Sequence, residues 1–411
     1  MTDRRTRNGA RPAKENKKKS RRPQNLGIDW TLVAIVGVLL VFGLVMLYSA
    51  SSYNAQLKFN DSAYYVKKQL FSIVIGLVFI VVIILLPYGF WKKISKLAYG
   101  VGVLLVLAVL SPLGYEANGA RRWLDLKVVT LQPSEILKIA LILFTAYLIC
   151  KYIKNIKDIK CYIKIFICTV FAAGLVVVVT DDLGTGLIIF AIGFVMLIVA
   201  NADKRHVVGS ALAIVIFGVL FAVLEPYRLN RIRAWLDPDA YTDISYQVTQ
   251  GLYAIGSGGL IGKGLGKSTQ KLGFVPESQT DLIFSIICEE LGVIGAIILI
   301  LLFVLLIWRF KKIYDNSNDL YGKIVVAGVS AHIAAQTFIN MAVVTSLIPN
   351  TGVPLPFISY GGTALIFQLA EIGLVLAVAR KTETDKLESI KFIPKTGRDH
   401  RLRKKGAVNT H

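Results

Sequence analysis

GFVPESQTDLIFSIICEELG, from Gly273 to Gly292, decides the fold. A polar stretch ends there and a long apolar run begins at Leu282, with one carboxylate, Asp281, on the boundary. A run of that length exceeds the roughly 20 apolar residues that cross a bilayer as a helix. Burying an unpaired charge is costly, so a carboxylate held at a membrane mouth is a functional candidate by default. The capping alternative stands beside it, because Asp before an apolar run is a strong helix start.

Outward from that stretch the pattern repeats. The chain is 55% hydrophobic with mean hydropathy +0.60 over 411 residues, which excludes an ordinary soluble domain. Ten segments predict spanning helices: Trp30–Ala50, Gln69–Leu86, Leu97–Leu110, Ser134–Cys150, Ile165–Thr180, Leu183–Ala200, Val207–Leu224, Leu282–Trp308, Ile324–Leu347 and Thr363–Ala379. The expected fold is an all-α polytopic membrane protein. With both termini inside, cytoplasmic segments carry 34 Lys and Arg and external ones 12, the bias that sets orientation. Residues 1–29 and 381–411 read as basic cytoplasmic tails, and 30–380 as the membrane domain. The net charge of +21 is mostly this topology signal. The tail Arg4–Arg22 lacks apolar periodicity and reads as disordered, lying near anionic lipid or docking a cytoplasmic partner. No folded basic module accompanies it, so nucleic acid is not an expected partner. The four cysteines fall in no external loop and in no zinc-type spacing, so they read as structural thiols.

The external side is dominated by residues 225–281, too long for a simple connection. Within it Val248, Leu252 and Ile255 fall at helical spacing and predict a short helix lying on the membrane surface. The glycine-rich run GSGGLIGKGLGKS resembles a phosphate loop but fails the Walker spacing, since Ile261 stands where Gly is required. Its amides, with Lys263 and Lys267, remain candidates for a lipid-linked phosphate. Polar groups at membrane depth are Glu135, Lys138, Glu289, Glu290, His332, Gln336, Asn340, Gln368 and Glu371. Either they pair to fix helix packing, or they line a polar cleft open to the external face. The loop Ile348–Thr363, with Pro349, Pro354 and Pro356, predicts an irregular segment that lines a cavity.

Seven motifs then stand in order: NGARRW (Asn118–Trp123), QPSE (Gln132–Glu135), DLGTG (Asp182–Gly186), AIGSGGL (Ala254–Leu260), PESQTD (Pro276–Asp281), EELG (Glu289–Gly292) and LPFISYGG (Leu355–Gly362). Together they resemble the FtsW/RodA (SEDS) family of bacterial cell-wall polymerases, over about Trp30 to Arg380. Leu282 departs from the family's usual Phe after the acid, a conservative packing change. Tyr246–Gln247, the run Gly264–Lys271 and the long basic tail lean toward the division-type members, with a sporulation-type relative as the alternative. The resemblance implies a ten-span glycosyltransferase that polymerises lipid II into glycan strands in the bacterial cytoplasmic membrane, at the division septum. It implies a class B penicillin-binding transpeptidase as partner, beside other division proteins and membrane lipids. Asp281 matches the acid considered catalytic. Arg121, Glu135 and Lys138 fall in motifs lining the family's cavity.

The chemistry of such a transfer agrees. Undecaprenyl diphosphate is already a good leaving group, so one base for the sugar 4-hydroxyl and cations for the diphosphate suffice. Asp281 is the candidate base, with inversion at the anomeric carbon. Arg121, Arg122, Arg231, Arg233 and Lys263 are candidate diphosphate ligands, and Tyr246, Gln250 and Ser359 complete the candidate substrate contacts. A divalent cation, Mg or Mn, near Asp281 would share the work, although no dedicated metal cage is evident. A lipid II flippase and a non-catalytic scaffold activating the transpeptidase are the rival readings. A flippase needs polar groups continuing to the cytoplasmic side, and a scaffold would tolerate Asp281→Asn.

Overall fold

The computed structural model describes residues 27–117, 120–125, 130–224 and 226–391. The basic tail around Arg4–Arg22, residues 392–411, Asn118 and Glu225 lie outside the described residues. Twelve α-helices are described: α1 (Trp30–Phe59), α2 (Tyr64–Leu85), α3 (Tyr88–Ala108), α4 (Pro133–Tyr152), α5 (Ile159–Thr180), α6 (Leu183–Val199), α7 (Lys204–Leu224), α8 (Pro226–Leu236), α9 (Thr242–Gly258), α10 (Ile283–Asn316), α11 (Leu320–Val344) and α12 (Gly362–Lys391). Every one of the ten apolar segments is helical. Seven described helices are long and apolar enough to cross a membrane: α1, α2, α4, α5, α10, α11 and α12. This is a polytopic membrane protein.

Which helices sit at the centre follows from burial. The apolar stretch of α12 is 83% buried within the protein and that of α11 72%, against 22% for α2. Large apolar side chains such as Phe71, Val78, Leu104, Val178 and Leu301 face outward, as lipid-facing positions should. The central pair also carries the polar stripe, so its helices are held by hydrogen bonds as well as by apolar packing.

Two expectations need correction. The fold is not purely helical: β1 (Gly114–Ala117), β2 (Ala120–Asp125) and β3 (Thr130–Leu131) form an antiparallel sheet in the order β1-β2-β3. Glu116 stands opposite Arg121 in its register. Nor is the stretch from 225 to 281 a single loop, since α8 and α9 occupy much of it. The helix expected around Val248, Leu252 and Ile255 is α9, and small residues make its packed face. Ser245, Gly251, Ala254 and Gly258 are buried while Leu252 is exposed. Small residues let α9 lie close against α10, where Gly251 meets Leu282 and Ser285.

The long helix α10 is broken. Gly292 has φ 66° and ψ −167°, which divides it into arms 283–291 and 293–316. That left-handed geometry favours glycine, which has no Cβ to clash. The break frees backbone groups that must find partners at membrane depth. The glycine-rich run supplies them. Lys263 N and Gly264 N donate to the carbonyls of Glu289 and Glu290, each at 2.9 Å, while Val293 N and Ile294 N donate to Gly259 O and Leu260 O at 3.0 and 3.2 Å. These amides therefore close a helix break and do not form a phosphate cradle. A Cβ at Gly262, where φ is 85°, would collide with the Glu290 carbonyl.

Candidate active site

Asp281 sits immediately before α10 and is 7% exposed. It does not cap the helix: the N-cap position is Leu282, and no side chain bonds the helix start. Its carboxylate instead accepts from Thr280 Oγ1 at 3.1 Å. Burial pushes the carboxyl up from its ordinary value of 3.8 to about 6. The Thr280 hydrogen bond and the positive charge of Arg231 oppose that rise, while Glu277 adds to it.

Three consecutive carbonyls hold this segment in place. Tyr360 N donates to Gln279 O at 2.9 Å, Ser359 Oγ to Thr280 O at 2.6 Å, and Asn340 Nδ2 to Asp281 O at 2.7 Å. Asn340 Nδ2 also reaches Val353 O at 2.8 Å, so one amide ties α11 to both the acid and the proline-rich segment. Ser359 Oγ also accepts from Leu355 N at 2.8 Å, which commits this hydroxyl to seating the backbone.

The proline-rich segment is irregular yet buried at Val353 and from Leu355 to Ser359. Such backbone survives at membrane depth only when side chains satisfy it. Gln336 Nε2 donates to Pro354 O at 2.9 Å, Gln69 Nε2 to Ser359 O at 3.0 Å, and Phe357 N donates to Gln368 Oε1 at 3.1 Å.

Two buried charge clusters support the site. In the first, Glu289 takes a lysine from within the glycine-rich run and Glu290 one from just after it: Lys263 Nζ lies 2.6 Å from Glu289 and Lys271 Nζ 2.8 Å from Glu290. Ser268 donates a short hydrogen bond to Glu289, and Ser49 Oγ from α1 donates to Glu290 at 2.7 Å. Lys263 is thus ion-paired. In the second, Lys138 Nζ lies 2.8 Å from Glu135 and 2.9 Å from His332 Nε2. His332 Nδ1 lies 2.7 Å from Glu371, and His332 Nε2 lies 2.8 Å from Gln336 Oε1. These groups are buried and join α4, α11 and α12, while Glu135 Oε2 and Glu371 Oε1 are left without a hydrogen-bond partner from the protein.

The remaining candidates scatter. Arg231, on α8, donates to Asn350 O at 3.0 Å and acts on Asp281 through its charge. Arg233 is exposed on the same helix. Arg121 is exposed on β2 and pairs with Glu116 at 3.4 Å. Arg122 donates to Thr180 O and Asp181 O at 3.2 and 2.8 Å, which ties the sheet to the α5–α6 junction. Tyr246 is exposed and Gln250 half-buried on α9. Sequence reasoning missed Arg228, which bonds Asp181 at 2.5 Å, and Lys271. It also missed Trp235, whose Nε1 donates to Ser346 O at 2.8 Å.

Fold and site together define a polytopic membrane protein with a buried, raised-pKa carboxylate at one helix mouth, braced by an irregular proline-rich segment. The chain belongs to the FtsW/RodA/SpoVE family of cell cycle proteins, which matches residues 29–384. It is 41% identical to the stage V sporulation protein E of Bacillus subtilis, over 86% of this chain and 97% of that one. It is 37% identical to a probable peptidoglycan glycosyltransferase FtsW of Trichlorobacter lovleyi, over 90% and 96% respectively. A chain from a solved peptidoglycan synthase complex that coordinates polymerization and crosslinking superposes with TM-score 0.73 at 28% identity, covering 86% of this chain and 98% of its own.

Proposed function

We propose that this chain is a peptidoglycan glycosyltransferase that polymerises lipid II into glycan strands at the outer face of the cytoplasmic membrane during cell division. The observation that carries the mechanism is the Asp281 carboxyl, seated by three backbone hydrogen bonds and raised to about 6. A base is most effective when its pKa lies near working pH. At neutral pH Asp281 is mostly ionised and still basic enough to take a proton.

Asp281 removes the proton from the acceptor sugar's 4-hydroxyl as that oxygen bonds to the donor's anomeric carbon. The bond from that carbon to the diphosphate breaks, undecaprenyl diphosphate leaves, and the anomeric centre inverts. Arg231 is the cation whose charge reaches Asp281, and its guanidinium suits the phosphate oxygens of the leaving group. Among the described residues no three His, Cys, Asp or Glu side chains gather as a metal cage. Asp281 and Thr280 offer hard oxygen donors, which suit Mg²⁺ or Mn²⁺. Such an ion, when bound, would neutralise charge on the departing diphosphate.

The topology proposed is ten spans with both termini cytoplasmic, supported by helices at all ten apolar segments and by the Lys and Arg bias. A class B penicillin-binding transpeptidase is the proposed partner, supported by the likeness to a chain of a peptidoglycan synthase complex. The division septum is the proposed location, supported by the FtsW relatives. Purified chain given lipid II tests the activity: polymer from the wild type and none from folded Asp281→Asn supports the assignment. Equal polymer from both removes Asp281 as the base.

A further inference from the structure

His332, Gln336 and Asn340 stand one turn apart on α11, and each is almost wholly buried. Asn340 Nδ2 donates to Asp281 O and Val353 O at 2.7 and 2.8 Å. Gln336 Nε2 donates to the next carbonyl along, Pro354 O, at 2.9 Å. The other end of the Gln336 amide meets the imidazole, with Oε1 2.8 Å from His332 Nε2. A continuous line of hydrogen bonds therefore runs from the ring to the proline-rich segment, whose Ser359 and Tyr360 seat the acid.

One ring nitrogen faces two partners, because Lys138 Nζ lies 2.9 Å from the same Nε2. A bare Nε2 accepts from Lys138 and turns its lone pair on Gln336 Oε1. A protonated Nε2 donates to Gln336 and leaves Lys138 to Glu135, 2.8 Å away. The amide cannot turn over to suit a bare nitrogen, because that would set its oxygen against Pro354 O. The Gln336 bond thus requires a hydrogen on Nε2. Glu371 Oε2, 2.7 Å from Nδ1, allows it in two ways. As a carboxylate it accepts from the imidazolium; as an acid it donates to Nδ1 of the neutral ring. The other charged side chains of neighbouring helices are occupied elsewhere: α6 carries none, and Glu289 and Glu290 of α10 hold Lys263 and Lys271.

We propose that His332 is a positioning residue for the reaction: its Nε2–H holds Gln336, Gln336 holds Pro354 O, and the segment so fixed keeps Asp281 in its seat. The proposal rests on the polymerase reading above, and two of its readouts need no activity. Full-length protein in lipid nanodiscs, labelled with ¹⁵N-histidine, shows His332 Nε2 as a protonated nitrogen, assigned by its loss in His332→Gln. Amide hydrogen exchange is followed over 355–361, and lipid II polymerisation across pH.

Gln336→Leu cuts the line without stranding a charge. It speeds that exchange and lowers kcat, each about tenfold, the order of one buried hydrogen bond, with KM within about twofold. The acid limb of its pH–rate profile moves from about 6 toward 3.8, because a loosened seat admits water to the carboxylate, while Glu277 and Arg231 stay in place. His332→Leu with Glu371→Leu does the same, and adding Gln336→Leu to it brings no further loss. His332→Gln, whose amide offers a donor at similar reach, keeps exchange, kcat and acid limb near the wild type.

A bare Nε2 in the wild type overturns the proposal whether or not the variants fold. So do unchanged exchange in folded Gln336→Leu, or losses from the His332 and Gln336 changes that add. Polymer from wild type with kcat and acid limb unmoved in the variants removes the positioning role and leaves the polymerase. A protonated Nε2 and faster exchange, without polymer from any protein, remove the polymerase and leave the tether.

Discussion

Asp281→Asn is expected to change how stability depends on pH, quite apart from activity. Burial lifts the carboxyl from 3.8 to about 6, a shift equivalent to about 3 kcal/mol of preference for the protonated form in the folded state. Well below pH 3.8 both folded and unfolded chains hold the proton, and the site imposes no penalty. As pH rises past 3.8 the unfolded chain ionises first, so folding stability falls until the native carboxyl also ionises near 6. Above that the penalty is constant. Of the total, about 2 kcal/mol develops between about pH 4.5 and 7.5. Asn does not titrate, and the other ionisable groups are common to both proteins. The assay is chemical unfolding in detergent at a series of pH values, followed by intrinsic fluorescence. Relative to Asp281→Asn, the wild type loses about 2 kcal/mol across that window. Parallel stability curves for the two proteins would refute the raised pKa and with it the argument for a tuned base.

The rate of polymerisation should fall about tenfold per pH unit below about 6, as the base takes up its proton, and level off above it; a profile flat from pH 5 to 8 would contradict this. Gly292→Ala forces a left-handed backbone onto a side chain that meets the Leu260 carbonyl, so a loss of roughly 3 kcal/mol or more and a fall in folded yield are expected by thermal melting. Lys271→Met and Glu290→Leu each strand a buried charge and should cost about 3–5 kcal/mol, while the double substitution costs less than either; additive losses would mean that the pair is not coupled. Asn340→Ala leaves the Asp281 and Val353 carbonyls without this donor, so kcat should drop with KM little changed, and a KM effect alone would argue against a positioning role.

The helices were legible because each apolar run can be read locally, and mainly their ends moved, although among the described helices seven are long and apolar enough to cross a membrane. Leu97–Leu110 extends into α3 from Tyr88 because Lys92, Lys93 and Lys96 interrupt apolarity without interrupting helix. The sheet carried a local signal that was passed over: Asn118–Gly119 between β1 and β2 is the residue pair favoured in tight hairpins. The break at Gly292 was not legible. Its cause is the match between four backbone groups around it and a glycine-rich run some thirty residues earlier in the chain. The polar stripe His332, Gln336 and Asn340 was visible as a stripe, but its division of labour was not. His332 joins the α4–α12 charge cluster, while Gln336 and Asn340 hold the proline-rich segment. Asp281 stood out through the motif PESQTD that it ends, since Asp29, Asp182 and Asp319 also stand at apolar boundaries and there cap helices. Arg228, Lys271 and Trp235 did not, because their partners Asp181, Glu290 and Ser346 are distant in sequence.

The most direct test of the central claim is glycan polymerisation from purified lipid II, with and without a cognate transpeptidase, comparing wild type with folded Asp281→Asn. The account predicts polymer from the wild type and a loss of about 10²–10⁴ in rate for the variant. Polymer formed by Asp281→Asn at the wild-type rate would contradict Asp281 as the base. No polymer from either protein, with partner and divalent metal present, would contradict the glycosyltransferase itself.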